Sequence, residues 1–177
     1  GHRAQRGEIT TEALWSWVGA YFALGEDLPQ FRQDFWREDF VDQSLVTLVR
    51  KLRHRYHLAI ISNAMDSLIE TLAEYALLKE FDLVVGSAYE GIMKPDPIIY
   101  ERTLQRLEVT PHESIFIDDS SVNIAGAQAL GINAILFTPA ANLAEELTKF
   151  KELLADSLPL SVLVFDFGCH KQLFANH

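Results

Sequence analysis

Two runs of apolar, mostly β-branched or aromatic residues, each ending on acid, narrow the folds open to this chain. One is Ile115-Phe116-Ile117-Asp118-Asp119-Ser120; the other, far away in sequence, is Val162-Leu163-Val164-Phe165-Asp166-Phe167-Gly168. A short unbroken apolar run is how a strand covered on both faces of a parallel sheet reads. Ligands of open α/β sheets bind just beyond the carboxyl ends of the strands, so acids placed there meet a ligand while the strand holds them rigid. Ile60-Ile61-Ser62-Asn63 ends on a hydroxyl in the same way, and Lys94 stands in Met93-Lys94-Pro95-Asp96-Pro97. Acids, a hydroxyl and a lysine at strand ends are the parts of a magnesium–phosphate site.

From Ser44 onward helices and strands take turns. Leu45, Leu48, Val49 and Leu52 mark a helix, and 58–62 a strand; Leu68, Ile69, Leu72 and Ala76 mark a helix, and 83–86 a strand. Asp96 caps a helix with Pro97 at its first position, where the missing N–H costs nothing. Then come a strand at 114–118, a helix at 122–130 closed by Gly131, a strand at 133–137, a helix at about 141–155 and a last strand at 162–166. This alternation predicts an α/β fold with five parallel strands in one sheet and helices on both faces. The 162–166 strand should lie centrally, between 58–62 and 114–118, because all three carry site residues. The first 40 residues differ. Thr10 or Thr11 can cap a helix bearing Leu14, Trp15, Val18, Tyr21 and Phe22, and a second helical piece at 29–40 carries Phe31, Phe35, Trp36 and Phe40. They read as a helical cap or binding face, or as ordinary core helices. So many aromatic side chains are awkward to leave bare, and a homodimer through these helices is one way to cover them.

The chain has 177 residues, enough for one core, and its net charge of −10 argues against non-specific nucleic-acid binding and against docking on anionic membranes. Cys169 is the only cysteine, so an internal disulfide is excluded and a reducing, cytoplasmic setting is expected. No apolar stretch approaches the roughly 18 residues of a membrane span, and no secretory leader is evident.

Each site residue has a plainer reading. Ser62 can simply cap the next helix, a lone loop lysine such as Lys94 is usually solvated, and one member of Asp118-Asp119 can cap the helix starting near Ser121. Against this, Pro95 and Pro97 stiffen the lysine loop, and adjacent acids at a strand end gain from a cation. Cys169 has no evident paired base and makes a poor nucleophile candidate.

Three segments in order resemble motifs of the haloacid dehalogenase-like hydrolase superfamily: Ile60-Ile61-Ser62-Asn63, then Lys94-Pro95-Asp96-Pro97-Ile98-Ile99-Tyr100, then Phe116-Ile117-Asp118-Asp119-Ser120-Ser121-Val122-Asn123, with 127–131 behind it. The resemblance runs from about Ser44 to Phe137, and Gly7-Glu8-Ile9-Thr10 with its following helices resembles part of that family's small helical cap. It implies a Rossmann-like three-layer sandwich at 44–177 and a partial helical cap at 1–43. The segment resembling the family's first motif lies at 162–168 instead of opening the sequence, so the chain reads as circularly permuted.

Carried over on those positions, the resemblance makes Asp166 the nucleophile of a phosphatase for a small phosphorylated metabolite, working through an aspartyl-phosphate. Ser62 and the Asn63 N–H would hold the phosphoryl oxygens. Lys94 would bridge nucleophile and phosphate and keep Asp166 ionised. Mg²⁺ would be held by Asp166, Asp119, Asp118 and the backbone carbonyl of Gly168. Two positions depart from the family: its common second aspartate is Gly168 here, and its usual threonine or valine is His170. Without an acid at 168, leaving-group protonation falls to water or substrate. Two other readings compete: a 2-haloacid dehalogenase-type hydrolase, with Asp166 attacking carbon and no metal, or a catalytically inactive permuted or truncated scaffold.

Overall fold

The computed structural model describes residues 2–35, 43–138, 142–153 and 161–166. In chain order its helices are α1 (His2–Gln5), α2 (Thr11–Tyr21), α3 (Leu28–Phe35), α4 (Gln43–Leu52), α5 (Leu68–Glu74), α6 (Ser87–Glu90), α7 (Pro97–Leu107), α8 (Ser121–Ala129) and α9 (Leu143–Leu153). The strands are β1 (His57–Ser62), β2 (Leu83–Gly86), β3 (Ser114–Asp118), β4 (Asn133–Leu136) and β5 (Val162–Phe165).

All five strands are parallel, in the order β2-β1-β5-β3-β4. The last strand in sequence thus fills the centre of the sheet, as its site acid required. Side chains of a strand alternate between faces, and the core divides accordingly. Leu58, Ile60, Ile115, Ile117, Leu163 and Phe165 pack with Val46 and Val49 of α4, Leu68 and Leu72 of α5, and Leu143 and Leu147 of α9. Ala59, Ile61, Phe116, Val162 and Val164 pack on the other face with Ile99, Tyr100 and Leu104 of α7 and Ile124 and Ala127 of α8. This is a three-layer α/β sandwich.

The caps follow the sequence signals in most places. Thr10 Oγ1 accepts from the Ala13 N–H, Asp96 Oδ1 accepts from the Ile98 N–H, and Gly131 takes φ +79° just past α8, where a side chain would be strained. Elsewhere the cap is another residue than expected. Ser67, not Ser62, precedes α5, and Ser120, not an acid, caps α8. The N-terminal helices expose Trp17, Tyr21, Phe22 and Phe35, with Trp17 stacked on Tyr21 and Phe22 on Phe31. Asp66, in the loop after β1, accepts from the Thr11 N–H at 2.9 Å and from its hydroxyl, tying the start of α2 to that loop. Trp36, Phe40 and the 157–159 linker lie outside the described residues. Among the described residues no helix is long and apolar enough to cross a membrane.

Candidate active site

Strand register brings the acids together. Phe165 pairs with Ile60 on one side and Ile117 on the other, and the Asp166 N–H continues the ladder to the Ile117 carbonyl at 2.8 Å. Asp166 therefore leaves the sheet beside Asp118, with Ser62 ending the strand on its other flank.

Lys94 reaches this edge from the loop between α6 and α7. Its Nζ lies 2.6 Å from Asp166 Oδ1 and 2.7 Å from Asp118 Oδ2, and the three side chains are 0%, 6% and 0% exposed. A loop lysine so placed is not a solvated one. Burying an ammonium is costly unless it is well paired, and here two carboxylates meet it. The ring of Phe116 adds a face 5.2 Å from Nζ.

The adjacent acids part company at the strand end, where Asp118 is the last residue of β3 and Asp119 lies in the bend after it. Asp118 is buried and its oxygens are engaged: Oδ1 accepts from the Ser120 N–H at 2.7 Å, Oδ2 from Lys94, and both from Asn123 Nδ2 at 3.2 and 3.0 Å. Asp119 is exposed. One oxygen from each of Asp118, Asp119 and Asp166 can still be chosen so that all three lie within 4.8 Å of one another. Ionised, three carboxylates and one ammonium leave two negative charges in a mostly water-free corner, and the donors are all oxygen. That set fits a hard divalent cation.

Ser62 is fully buried, and its hydroxyl has no hydrogen-bond partner among the described residues. A buried hydroxyl without a partner is costly, and the described residues supply none for Ser62. Asn63 turns its side chain to Lys94: the Lys94 N–H donates to Oδ1 at 2.8 Å, and Nδ2 donates to the Lys94 carbonyl at 3.0 Å. Gly168, expected to lend a carbonyl, lies outside the described residues, as do Cys169 and His170.

Three residues at the site carried no role in the sequence reading. Asn123 holds both oxygens of Asp118. Tyr100, wholly buried and edge-on to Phe116, donates its hydroxyl to the Asn123 carbonyl at 3.0 Å. Burial above all, then the carboxylates of Asp118 and Asp166, pushes that phenol well above the ordinary tyrosine range, so it stays a donor. Gly126 lets α8 approach the lysine loop. A Cβ there would stand 3.0 Å from Pro95 Cβ and 3.1 Å from its carbonyl oxygen. Asn123 and Tyr100 stand inside the quoted motifs and could have been marked from those; for Gly126 the sequence offers only a glycine in mid-helix.

Comparison with known proteins bears on much of this core. The sequence model for the haloacid dehalogenase-like hydrolases matches residues 9–131. Acyl-CoA dehydrogenase family member 10 of Mus musculus is 53% identical over 57 residues, which is 32% of this chain and 5% of that protein. Bifunctional epoxide hydrolase 2 of Rattus norvegicus is 33% identical over 101 residues, 57% of this chain and 18% of that one. The chain thus spans less than a fifth of either relative. A HAD family enzyme of Bacteroides thetaiotaomicron, solved with magnesium and inorganic phosphate, superposes with a TM-score of 0.70 at 20% identity, covering 81% of this chain and 78% of its own. At that identity the likeness speaks for the fold.

Proposed function

Since the chain belongs to the haloacid dehalogenase-like hydrolase family, we propose that it is a magnesium-dependent phosphatase acting on a small phosphorylated metabolite. The observation that carries this reading is the convergence of Asp118, Asp119 and Asp166 at the carboxyl ends of β3 and β5, with Lys94 paired to Asp118 and Asp166.

In this reading the Asp166 carboxylate attacks phosphorus, the P–O bond to the leaving group breaks, and water then cleaves the aspartyl-phosphate. Splitting one difficult displacement into two is what a carboxylate nucleophile offers. Lys94 counters the negative charge gathering between Asp166 and the phosphoryl oxygens. The buried Ser62 hydroxyl donates to one of those oxygens, and the Asn63 N–H to another. Asp119 and Asp166 would hold Mg²⁺, with the Gly168 carbonyl as a further donor; when bound, the ion screens the repulsion between nucleophile and phosphate. Asp118, whose oxygens already accept from three residues, serves mainly to hold Lys94. In this reading the 1–43 segment is the partial cap, and the substrate's own leaving group or water takes the place of a protein acid.

The dehalogenase alternative needs no metal, and three clustered carboxylates would then be a burden without a purpose. An inert scaffold would have no use for the buried Ser62 hydroxyl, which has no partner among the described residues. The test is hydrolysis of p-nitrophenyl phosphate and a panel of phosphate esters with and without Mg²⁺, with halide release from 2-haloacids as the control. Magnesium-dependent phosphate release supports the proposal; no release from any ester overturns it.

A further inference from the structure

We infer that Asn63 is a positioning residue for Lys94, fixing through its side-chain amide where the lysine's ammonium stands. The inference rests on the reading of Lys94 as the cation that faces the phosphoryl group. A lysine carries its charge on a flexible four-carbon stem, so pairing at the ammonium end does not by itself fix the backbone from which the stem starts. Here the other end is held as well. Asn63 Oδ1 accepts the Lys94 N–H at 2.8 Å while its Nδ2 donates to the Lys94 carbonyl at 3.0 Å. One side-chain amide thus matches the backbone donor and acceptor of one residue. An aspartate keeps the acceptor and loses the donor; alanine loses both.

Asn63 is itself anchored on both flanks. It follows Ser62, the last residue of buried β1, and its carbonyl accepts from Gln5 Nε2 at 2.9 Å. The Gln5 carbonyl in turn accepts from the Ser87 hydroxyl at 2.6 Å, and that hydroxyl also lies 3.2 Å from the Ala64 carbonyl. The end of β1, the turn at α1 and the start of α6 therefore brace the clasp, and the lysine loop is set against the same strand end that carries Ser62. Hydroxyl and ammonium are kept in fixed register although they are 32 residues apart in sequence. Misplacing a catalytic group by about 1 Å can cost on the order of 100-fold in rate.

Two measurements on Asn63→Ala and Asn63→Asp test this. The first is the rate of reductive methylation of each lysine, read by peptide mass spectrometry, which needs no turnover. Buried Lys94 should be protected in the unmutated chain and at least about tenfold more reactive in Asn63→Ala, with Asn63→Asp between them, as expected for a clasp that loses both contacts or one. The exposed Lys51, Lys79 and Lys149 should not change. The second is turnover of p-nitrophenyl phosphate. In Asn63→Ala kcat should fall roughly 100-fold with KM moved by less than about threefold, as for a misplaced group rather than a lost contact. If Asn63→Ala does not fold, Asn63→Asp and Gln5→Ala carry the same comparison. Lys94 staying protected in the variants, or all lysines loosening together, overturns the inference. A rise in KM with Lys94 still protected overturns it too, by making Asn63 a substrate contact. An unmutated chain without turnover sinks the phosphatase reading and leaves methylation to decide this one.

Discussion

Two charge clusters in this molecule are near mirror images. At the sheet edge one cation, Lys94, is outnumbered by carboxylates, with side chains 0–6% exposed for Lys94, Asp118 and Asp166. Between α6 and α7 one carboxylate, Glu90, is outnumbered by cations: Arg106 grips it at 2.6 and 3.0 Å, and Arg102 approaches to 3.4 Å, with both arginines nearly half exposed. The chemistry is the same and the consequences differ. Water dissipates the surplus charge of the second cluster, so its only evident effect is to tie two helices together. The first cluster cannot shed its surplus negative charge to solvent, and such an arrangement persists in a fold when a ligand completes it.

That contrast is sharpest at Asp166. Asp166→Asn keeps the shape and removes the nucleophile, so phosphatase activity should drop by a factor on the order of 10⁴ or more. Steady-state hydrolysis of p-nitrophenyl phosphate measures this, and circular dichroism should show the fold retained. Full activity in the variant would reduce the buried cluster to a structural feature like its surface counterpart.

The adjacent acids allow a finer cut. Asp118→Ala leaves Lys94 short of one partner and strands Asn123, and breaking a buried pair costs roughly 3–5 kcal/mol, to be read from urea denaturation. Asp119→Ala should leave stability within about 0.5 kcal/mol, as for an exposed position, yet abolish Mg²⁺ binding in calorimetry. Equal stability losses in the two variants would show that the pair acts as one unit.

How far the sequence announces all this depends on the range of the interactions. The strand ends, the Asp96–Pro97 helix start and the central place of β5 follow from apolar runs and from the need for Ser62, Asp118 and Asp166 to meet, all legible along the chain. The separate duties of Asp118 and Asp119 are not. Both read as acids at a strand end, and the sequence does not say that Asp118 is buried against Lys94 while Asp119, in the bend just past the strand, is exposed. The alternative helix caps at Ser62 and the acid pair fail for a related reason: Ser67 and Ser120 stand closer to the helix starts. Asn63 shows the limit best. Its backbone position in a motif is readable, whereas its side-chain clasp joins segments 31 residues apart. The aromatic stretch of α2 and α3 gives a helix signal in sequence, but nothing in the pattern says what its exposed rings meet.

Close packing around the site gives a middle-sized test. Gly126→Ala places a methyl 3.0–3.1 Å from Pro95, against α8 on one side and the lysine loop on the other. Overpacking of this kind typically costs about 1–3 kcal/mol. Because Pro95 follows Lys94 directly, activity should fall further than stability alone accounts for at a temperature where the variant remains folded. A stability loss with unchanged kcat would mean that the loop yields without moving Lys94.

The smallest effect belongs to the surface cluster. The hydrogen bonds from Arg106 foremost, with the charges of Arg106 and Arg102 behind them, hold the Glu90 carboxyl below its ordinary pKa. A carboxyl lowered in the folded state stabilises that state at pH values above its unfolded pKa, about 4.3, and the contribution fades as pH falls through the lowered folded value. Glu90→Gln should therefore cost roughly 0.2–1 kcal/mol at pH 7, the range of partly exposed ion pairs, with the arginines' exposure keeping it toward the lower end. The difference from the unmutated chain should shrink below about pH 4 and should shrink also in 1 M salt, where the Debye length is about 3 Å. Urea midpoints at pH 7 and in the acid range, with and without salt, would read it. A loss as large as that of Asp118→Ala, or one indifferent to pH and salt, would erase the distinction between the two clusters. It would also mean that Glu90 is held by packing rather than by charge.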